Sequence, residues 1–337
     1  MRYIIIGAGA VGGAIGGRLF ESGHDVVLVA RGDHYKALAG HGLRLATPDA
    51  VLDLPIPAVD RPEALDLRPG DVLLLAVKTQ DTTAALAAWA DRPVAGGGTA
   101  AEVLPLVCAQ NGVENERLAL RRFRHVYGMS VWLPSTHLEP GSVAAAGAPL
   151  TGFLTLGRYP RGVDDTARAI SADLEDSKLG APLSDDVMRW KYGKLLGNLG
   201  NAVEALLGHT DSDEPGDPVV ALHYAAHAEG VRVLNAAGIS FTSDEERAEV
   251  VRGWLRLRPI AGVKREGGSS WQSLVRGTGS IESDYLNGEI ALLGRQFDVP
   301  TPINSTLQRL ANHAAREGLT PGTITPAEVA AAIAAAR

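Results

Sequence analysis

Six residues near the N-terminus, Gly7 to Gly12, have the types and spacing of a phosphate-binding loop. They read Gly-Ala-Gly-Ala-Val-Gly, a G-x-G-x-x-G pattern that follows an apolar run and precedes a helical one. In that context the first glycine allows a tight turn, the second lets a pyrophosphate approach the backbone, and the third lets helix and strand pack closely. The free N–H groups and the dipole of the helix N-terminus attract phosphate. The pattern therefore predicts a dinucleotide site formed by Gly7, Ala8, Gly9, Ala10, Val11 and Gly12.

The residue that ends the second predicted strand distinguishes between two dinucleotides. NAD enzymes usually carry an acidic residue there, which accepts hydrogen bonds from the ribose hydroxyls. This chain has Arg31, and its nearest acid, Asp33, comes two residues later. A guanidinium can pair bidentately with a 2′-phosphate. The sequence therefore favours NADP, with a solvated loop arginine as the alternative.

Further polar side chains lie where a nicotinamide enzyme would place its chemistry. Lys78 and Asn111 follow two apolar runs, and ligands bind at the carboxyl ends of parallel strands. Lys194 and Asn198 are four residues apart on a predicted helix, so they share one face. Glu282 falls in the first turn of a later predicted helix, where the helix dipole alone would favour a carboxylate. One further lysine, Lys191, lies one turn before Lys194 and is expected to be solvated.

The elements that must position these residues change character near residue 184. Before it, helical segments alternate with short apolar runs at 3–6, 25–30, 71–77, 103–109 and 126–133, which predicts a parallel sheet covered on both faces. After it the pattern is helical, with a long helix from about 184 to 207 and others after Pro218, Ser243, Ser280, Pro302 and Pro326. The predicted fold is an α/β Rossmann-type doubly wound sheet followed by an all-α domain. We expect an NADP-binding domain over 1–183 and a helical substrate-binding and dimerisation domain over 184–337.

The order and spacing of several short motifs resemble one known family. They are GAGAVG at the start, AVKT, QNG, K-L-x-x-N, S-S-W and E-x-D-Y-L-N-G, which together extend over essentially the whole chain. This succession is similar to the ketopantoate reductase (2-dehydropantoate 2-reductase) family. The resemblance implies an oxidoreductase that uses NADPH to reduce a small 2-oxo acid to a 2-hydroxy acid, a place in pantothenate biosynthesis, and a homodimer.

The resemblance also implies roles for individual residues. Lys194 matches a general acid that protonates the substrate's carbonyl oxygen, and Glu282 matches an acid that orients the substrate's hydroxyl group. A desolvated lysine can donate a proton near neutral pH and stabilises a developing alkoxide. The substrate-binding residues implied in this way are Asn198, Asn201 and Ser270, and those on the cofactor side are Arg31, Lys78 and Asn111.

Three positions depart from the family pattern. Asn201 comes three residues after Asn198 instead of four, and Asp211 and Gly267 stand where the family often has substrate-binding asparagines. A carboxylate would repel the carboxylate of a 2-oxo acid, and a glycine offers no side-chain donor. These departures predict that ketopantoate is a poor substrate and leave open a paralogue that acts on another 2-oxo acid.

Two other functions stay open from sequence. The chain could be another NADP-dependent hydroxy-acid or opine-type dehydrogenase, which also joins a Rossmann domain to a helical one. It could also be a catalytically inactive NADP-binding protein, although the presence of both Lys194 and Glu282 argues against that.

Composition excludes several further classes. The net charge of −7, without a basic block, argues against nucleic-acid binding. Cys108 is the one cysteine, expected in the core, so no intramolecular disulfide is possible. His223 and His227 lack the glutamate of a zinc hydrolase motif, so we expect no metal site. The N-terminus lacks a signal-peptide pattern and no apolar stretch is long enough for a membrane helix, which predicts a cytoplasmic protein.

Overall fold

The computed structural model describes residues 1–137, 139–210, 212, 214–263, 267–277 and 279–336. The chain divides into two compact units. The first comprises Met1–Lys191 and Ser243–Lys264, and the second comprises Tyr192–Thr242 and Arg265–Arg337. The assignment of cofactor binding to 1–183 and of substrate binding and dimerisation to 184–337 stays a prediction.

The strands lie in the first unit. They are β1 (Arg2–Ile6), β2 (Asp25–Val29), β3 (Leu43–Ala46), β4 (Val51–Leu54), β5 (Ala58–Val59), β6 (Asp71–Leu75), β7 (Pro105–Cys108), β8 (His125–Trp132), β9 (Ser135–Thr136), β10 (Ser142–Ala145), β11 (Gly147–Pro149), β12 (Gly152–Arg158), β13 (Leu179–Gly180) and β14 (Leu255–Leu257). The five strands predicted from apolar runs are confirmed as β1, β2, β6, β7 and β8.

The main sheet has eight strands in the order β13-β12-β8-β7-β6-β1-β2-β5. The strands from β8 to β5 are parallel to one another, and β12 pairs antiparallel with β8. From β1 the chain first builds outward through β2 and β5, then returns to the other side of β1 and builds β6, β7 and β8. The strand order therefore reverses between β1 and β6, and in such sheets ligands bind in the crevice at that switch point. The predicted Rossmann-type arrangement is confirmed.

The helices cover the sheet in the first unit and form the second unit. They are α1 (Ala10–Glu21), α2 (Gly32–His41), α3 (Thr82–Ala90), α4 (Ala100–Val103), α5 (Asn115–Leu120), α6 (Asp165–Glu175), α7 (Val187–Asn198), α8 (Gly200–Leu207), α9 (Pro218–Ala236), α10 (Asp244–Val251), α11 (Ser269–Val275), α12 (Asn287–Gln296), α13 (Pro302–Arg316) and α14 (Pro326–Ala334). No described helix is long and apolar enough to span a membrane.

Alternation along the strands explains why both faces of the main sheet are covered. In β1, Ile5 packs into a core that includes Ile15 of α1, whereas Ile4 and Ile6 pack into a second core on the opposite face. The second core contains Trp89 of α3. A strand buried on both faces reads as a continuous apolar run, which is why these strands were visible in the sequence. Cys108 lies in this core and is free, as predicted.

Two expectations for the second half are wrong. The long helix predicted from 184 to 207 is divided into α7 and α8 at Leu199. Gly197 and Gly200 flank the break, and a Cβ at Gly200 would lie 2.5 Å from the ring of His223, so glycine there allows α9 to approach. The expected absence of strands fails at β14, which pairs antiparallel with β11 in the first unit. At three residues, β14 is too short to show a periodic pattern.

A buried polar network ties the helices of the second unit together. The fully buried carboxylate of Glu229 accepts hydrogen bonds from the Ile303 and Asn304 backbone amides, at 3.2 and 2.7 Å, at the start of α13. The Asn304 side chain accepts a hydrogen bond from Asn287 at 2.9 Å, and Asn287 also donates to the Leu199 carbonyl at 3.1 Å. The asparagine of the E-x-D-Y-L-N-G motif is therefore structural.

Candidate functional site

The loop Gly7–Gly12 joins β1 to α1 at the switch point of the sheet. Gly7 has a φ of +100°, and a Cβ there would lie 2.8 Å from the Val77 backbone nitrogen, so the next strand excludes a side chain. A Cβ on Gly12 would lie 2.1 Å from the Gly7 carbonyl oxygen. The protein's own backbone therefore requires glycine at both ends of the motif, for the turn and for the close packing that the pattern predicts.

Gly9 is required by nothing in the protein itself. A Cβ there would meet no atom within 4 Å, so the space in front of the loop is open. Gly9 is also the N-cap of α1, with no side-chain capping hydrogen bond, and the first turn of α1 carries no acidic residue. The first N–H groups of a helix have no partner within the helix. Open space against an uncapped helix N-terminus is what a pyrophosphate needs, so these residues fit a dinucleotide.

Lys78 and Asn111 share one edge of the sheet. They lie three residues beyond Leu75 and Cys108, which are paired across β6 and β7. Both residues are partly exposed. The Asn111 side-chain amide has no hydrogen-bond partner within the described part of the chain, and it is therefore available to a ligand. The structure brings these two cofactor-side candidates together with the glycine loop in the first unit.

Hydrogen bonds between buried polar groups fix the loop that carries Asn111. The Gln110 Nε2 donates to the Val77 carbonyl at 2.9 Å and to the Thr82 hydroxyl at 2.8 Å. The Asn115 Nδ2 donates to the Asn111 carbonyl at 3.0 Å. Gln110 thus joins the ends of β6 and β7 through its side chain, which explains the glutamine of the Q-N-G motif.

Lys191 is not solvated, and that expectation is wrong. Its side chain is 2% exposed, and its Nζ lies 2.5 Å from the Oε1 of Glu116, which is 0% exposed. The same Nζ donates to the Gln110 carbonyl at 3.0 Å. Burial raises the pKa of the Glu116 carboxyl, although the lysine opposes that shift. This buried ion pair, which sequence reasoning missed, holds the backbone next to Asn111.

Arg31 stands at the N-cap of α2, directly after β2. Its side chain is exposed and has no ion-pair or hydrogen-bond partner among the described residues. The nearby Asp33 is instead paired with Lys36 at 2.7 Å, and that hydrogen bond lowers the pKa of Asp33. A second acid, Asp60, directly follows the β5 residue that pairs with Val29, and it is paired with Arg61 at 3.3 Å. Both acids near the end of β2 are therefore engaged by cations. The contact of Arg31 with a 2′-phosphate stays a prediction.

His34 is a residue of this site that the motif analysis did not identify. Its Nδ1 accepts a hydrogen bond from the Gly141 N–H at 2.9 Å, so Nε2 carries the hydrogen and donates to the Ala8 carbonyl at 2.8 Å. The His137 ring lies 4.2 Å away, centroid to centroid. Burial lowers the pKa of His34, which favours this neutral form. A signal was present, because a histidine in the first turn after β2 is close to the loop after β1.

The second unit contains Lys194, which is the predicted general acid, and the predicted substrate-binding residues. Lys194 lies on α7 and is partly exposed, whereas Asn198, one turn later, is 5% exposed. The Nδ2 of Asn198 is buried and makes no hydrogen bond in the described structure. A buried donor without a partner costs about 1–3 kcal/mol, which a ligand oxygen would recover. Asn198 therefore has the property expected of a residue that binds substrate.

The other two substrate-binding candidates meet where α8 packs against α11. Asn201 donates to the Ser269 hydroxyl at 3.3 Å, and Ser270 itself is buried. A Cβ at Gly267 would lie 2.4 Å from Trp271 Cγ, so this position has no room for an asparagine. Asp211 lies outside the described residues. The sequence predicts only that Gly267 lacks a side-chain donor. The structure adds that Trp271 occupies the space that such a side chain would need.

Glu282 is buried, at 4% exposed, and it lies in the first turn of a helix as predicted, but that helix is a 3₁₀ helix. This helix comprises Glu282–Tyr285, and α12 starts only at Asn287. The helix dipole therefore does not explain the glutamate. Burial lowers the pKa of Arg276, and the nearby Glu282 carboxylate partly offsets that shift. Arg276 is a charged neighbour of Glu282 that the sequence reasoning missed.

No group of histidine, cysteine or acidic residues within the described ranges could hold a metal ion. The catalytic, cofactor-binding and substrate-binding roles assigned to the individual residues above stay predictions.

Comparison with known proteins identifies the family. Residues 3–161 match the family described as ketopantoate reductase PanE/ApbA, and residues 186–315 match its C-terminal family, ketopantoate reductase PanE/ApbA C terminal. A 2-dehydropantoate 2-reductase of Halobacterium salinarum is 26% identical, with 94% of this chain and 100% of the relative covered.

Solved structures share the fold over almost the whole chain. A PanE/ApbA family ketopantoate reductase from Ralstonia eutropha JMP134 is 27% identical with a TM-score of 0.74, covering 94% of this chain and 99% of that one. A D-mandelate dehydrogenase in complex with NADH and anilino(oxo)acetate is 22% identical with a TM-score of 0.77 over the same shares. The resemblance that the motifs indicated is therefore confirmed: the chain belongs to the ketopantoate reductase family, PanE/ApbA.

Proposed function

We propose that this protein reduces a 2-oxo acid to a 2-hydroxy acid with NADPH. The observation that carries the proposal is that α7 presents two hydrogen-bond donors, the Lys194 ammonium group and the Asn198 side-chain amide, whose nitrogen has no partner in the described structure. Lys194 and Asn198 lie one turn apart, and the Asn198 Nδ2 is buried without a hydrogen-bond partner in the described structure. A 2-oxo acid carries a carbonyl and a carboxylate whose oxygens accept hydrogen bonds from such donors.

NADPH would be held by the first unit. The open space at Gly9 and the N-terminus of α1 suit its pyrophosphate, and the exposed guanidinium of Arg31 suits its 2′-phosphate. Lys78 and Asn111, at the ends of β6 and β7, would contact the cofactor as well. When bound, NADPH supplies the hydride that the carbonyl carbon accepts.

Lys194 would complete the reduction by protonating the carbonyl oxygen. As the carbonyl carbon receives the hydride, negative charge develops on that oxygen, and the Nζ cation stabilises the charge and donates a proton to it. The balance is one 2-oxo acid, one NADPH and one proton in, and one 2-hydroxy acid and one NADP⁺ out. Glu282 would orient a substrate hydroxyl, and Asn201 and Ser270 would bind further polar groups of the substrate.

The side chain of the 2-oxo acid is the open part of the proposal. Relatives over nearly the full length are named 2-dehydropantoate 2-reductases, which makes ketopantoate the first candidate. The ring of Trp271 fills the space in front of Gly267, where the family often has an asparagine. This difference favours a paralogue whose substrate is another 2-oxo acid, and we expect ketopantoate to be a poor substrate. A homodimer and a cytoplasmic location also stay predictions.

The test is NADPH oxidation with ketopantoate and with a panel of 2-oxo acids that vary in side chain. We expect turnover with at least one member, and faster turnover with NADPH than with NADH. Arg31→Ala should raise the Kd for NADPH about 10- to 100-fold, the value of one charge-assisted hydrogen bond, and leave that for NADH unchanged. Arg121→Ala, which removes an exposed arginine at the C-terminal end of α5, is the matched control.

Four outcomes would contradict parts of this proposal. Equal affinity of the wild type for the two cofactors would refute the role of Arg31. No turnover with any single 2-oxo acid, together with oxidation of 3-hydroxy acids, would favour another hydroxy-acid dehydrogenase. Turnover that requires an amino acid in addition to the 2-oxo acid would favour an opine-type dehydrogenase. Tight NADPH binding without turnover on any substrate would favour an inactive binding protein.

A further inference from the structure

A second concave site in the first unit lies at the opposite end of α1 from the glycine loop. It is a cavity of about 600 Å³ between the last turn of α1, the turn that connects β3 and β4, and the strands β11 and β14. Its charged lining consists of Arg18, Glu21, Asp49, Lys178, Arg256 and Arg258. None of these residues belongs to the dinucleotide or substrate candidates.

The lining is positively charged in a protein whose net charge is −7. Four cations face two carboxylates, which gives a formal charge of +2. Both carboxylates are already engaged: Glu21 by Arg18 at 2.5 Å and by Lys178 at 3.0 Å, and Asp49 by Arg258 at 2.7 Å. Burial alone would raise the pKa of Glu21, but the hydrogen bonds from these two cations lower it. Neither acid is therefore left to neutralise a further cation.

Arg256 is the cation left over. It lies on β14, is exposed, and has no ion-pair or hydrogen-bond partner in the described part of the chain. The pairing of β14 with β11 holds its backbone over the cavity. Arg256 lines a cavity in which both acids are already paired with other cations.

Arg18 is a buried cation of the lining, and a hydrogen bond holds it in place. Its side chain is 6% exposed, and its Nε donates to the buried Thr151 hydroxyl at 2.7 Å. A guanidinium held in place by a protein partner loses little conformational entropy when it binds an anion, and its partial burial strengthens the attraction. Ala50, Ala148 and Pro149 supply an apolar wall beside it.

We propose that this cavity binds a small-molecule dianion that presents phosphate oxygens. Its volume lies within the range of pockets that take small ligands, about 300–1,000 Å³. A charge of −2 would neutralise the lining, and arginine forks match the geometry of phosphate. The site is independent of the proposed reductase activity, because it shares no residue with that machinery.

Pyrophosphate is the probe, and the measurement is isothermal titration calorimetry at low ionic strength and about pH 6, where most of the pyrophosphate carries two negative charges. Pyrophosphate can also occupy the dinucleotide loop, so the titration is made with and without saturating NADP⁺. With NADP⁺ present we expect one remaining pyrophosphate site. Arg256→Ala should weaken it about tenfold, and Arg256→Glu, which brings the lining to zero charge, should abolish it. The exposed Arg117 of α5, which pairs with Glu114 and does not line the cavity, provides the control Arg117→Glu.

Three results would overturn the proposal. They are no pyrophosphate binding in the presence of NADP⁺, binding that Arg256→Glu leaves unchanged, and binding that Arg117→Glu weakens equally. Citrate, a carboxylate anion of similar size, tests the ligand class, and binding as tight as that of pyrophosphate would refute the preference for phosphate. If NADP⁺ itself fails to bind, the proposed function fails, but a site that depends on Arg256 would remain and support this inference alone.

Discussion

Removing the buried lysine should destabilise the protein in a way that depends steeply on pH. In Lys191→Met the Glu116 carboxyl stays buried at 0% exposed and loses the cation that lies 2.5 Å away. A lone buried carboxylate avoids charge burial by binding a proton, and this costs about 1.4 kcal/mol for each pH unit above the unfolded pKa of about 4.3. This sets an upper limit of about 4 kcal/mol on the loss in the free energy of unfolding at pH 7, because the wild type already carries part of the cost of burying Glu116.

The sign of the pH dependence follows from the direction of the shift. Burial already raises the pKa of Glu116 in the wild type, and loss of Lys191 raises it further. A carboxyl whose folded pKa is raised stabilises the folded state when protonated, and that stabilisation is lost as the pH rises through the folded pKa. The deficit of Lys191→Met should therefore shrink to about 1 kcal/mol at pH 5.

Urea denaturation at pH 5, 6 and 7 measures this. Lys191→Met combined with Glu116→Leu removes both charges and should recover most of the stability at every pH, because an apolar pair of similar volume can replace a buried ion pair. Lys36→Met, which removes an exposed lysine from its pair with Asp33, is the control and should change stability little. A deficit that is equal at pH 5 and pH 7, or a double variant as unstable as the single one, would refute the reasoning.

Three further predictions concern the site. Gly9→Ala should leave the urea midpoint unchanged but weaken NADPH binding at least tenfold, because its Cβ meets no protein atom and only a bound pyrophosphate would clash with it. Gly40→Ala, at another glycine with open space around it, is the control. Unchanged NADPH affinity in Gly9→Ala would contradict the placement of the phosphate. Lys194→Ala should lower kcat by about 10²–10⁴ with little effect on the Kd for NADPH, so a variant with normal kcat would remove Lys194 from the mechanism. Because burial lowers the pKa of His34, its stabilising contribution is present above the unfolded pKa of about 6.5 and is lost as the pH falls through the folded pKa. His34→Gln should therefore flatten the pH dependence of stability between pH 7 and pH 5, and a curve identical to that of the wild type would argue against the role of His34 at Ala8.

The parts of the fold that the sequence predicts well are those with strong local signals. The central strands are continuous apolar runs because both faces of the sheet are covered, and the glycine pattern marks the switch point because backbone contacts forbid a side chain at Gly7 and Gly12. The short strands β9, β11 and β14 carry no such signal, since two or three residues cannot show a period. The break at Leu199 lies next to Gly200, where the missing side chain lets His223 of α9 approach, and this contact joins residues that are far apart in the sequence.

The site shows the same division between local and long-range information. The positions of Arg31, Lys78 and Asn111 after strands could be predicted, because each strand is a recognisable apolar run, whereas their roles stay predictions. The partners that fix the site were not, because Lys191 and Glu116 are 75 residues apart and Gly141 and His34 are 107 apart. Lys191 in particular has the sequence context of a surface lysine, and only the fold brings a buried carboxylate to its Nζ. Charge alone cannot tell a solvated lysine from a buried one.

Transfer of deuterium from NADPH labelled at C4 of the nicotinamide tests the central claim most directly. The accepted 2-oxo acid would be incubated with each of the two stereospecifically labelled cofactors, and the product analysed by mass spectrometry and NMR. The account predicts a 2-hydroxy acid with one deuterium at C2 from only one of the two labelled cofactors. Product without deuterium at C2 from either cofactor, or no reduction of any 2-oxo acid tested, would contradict it.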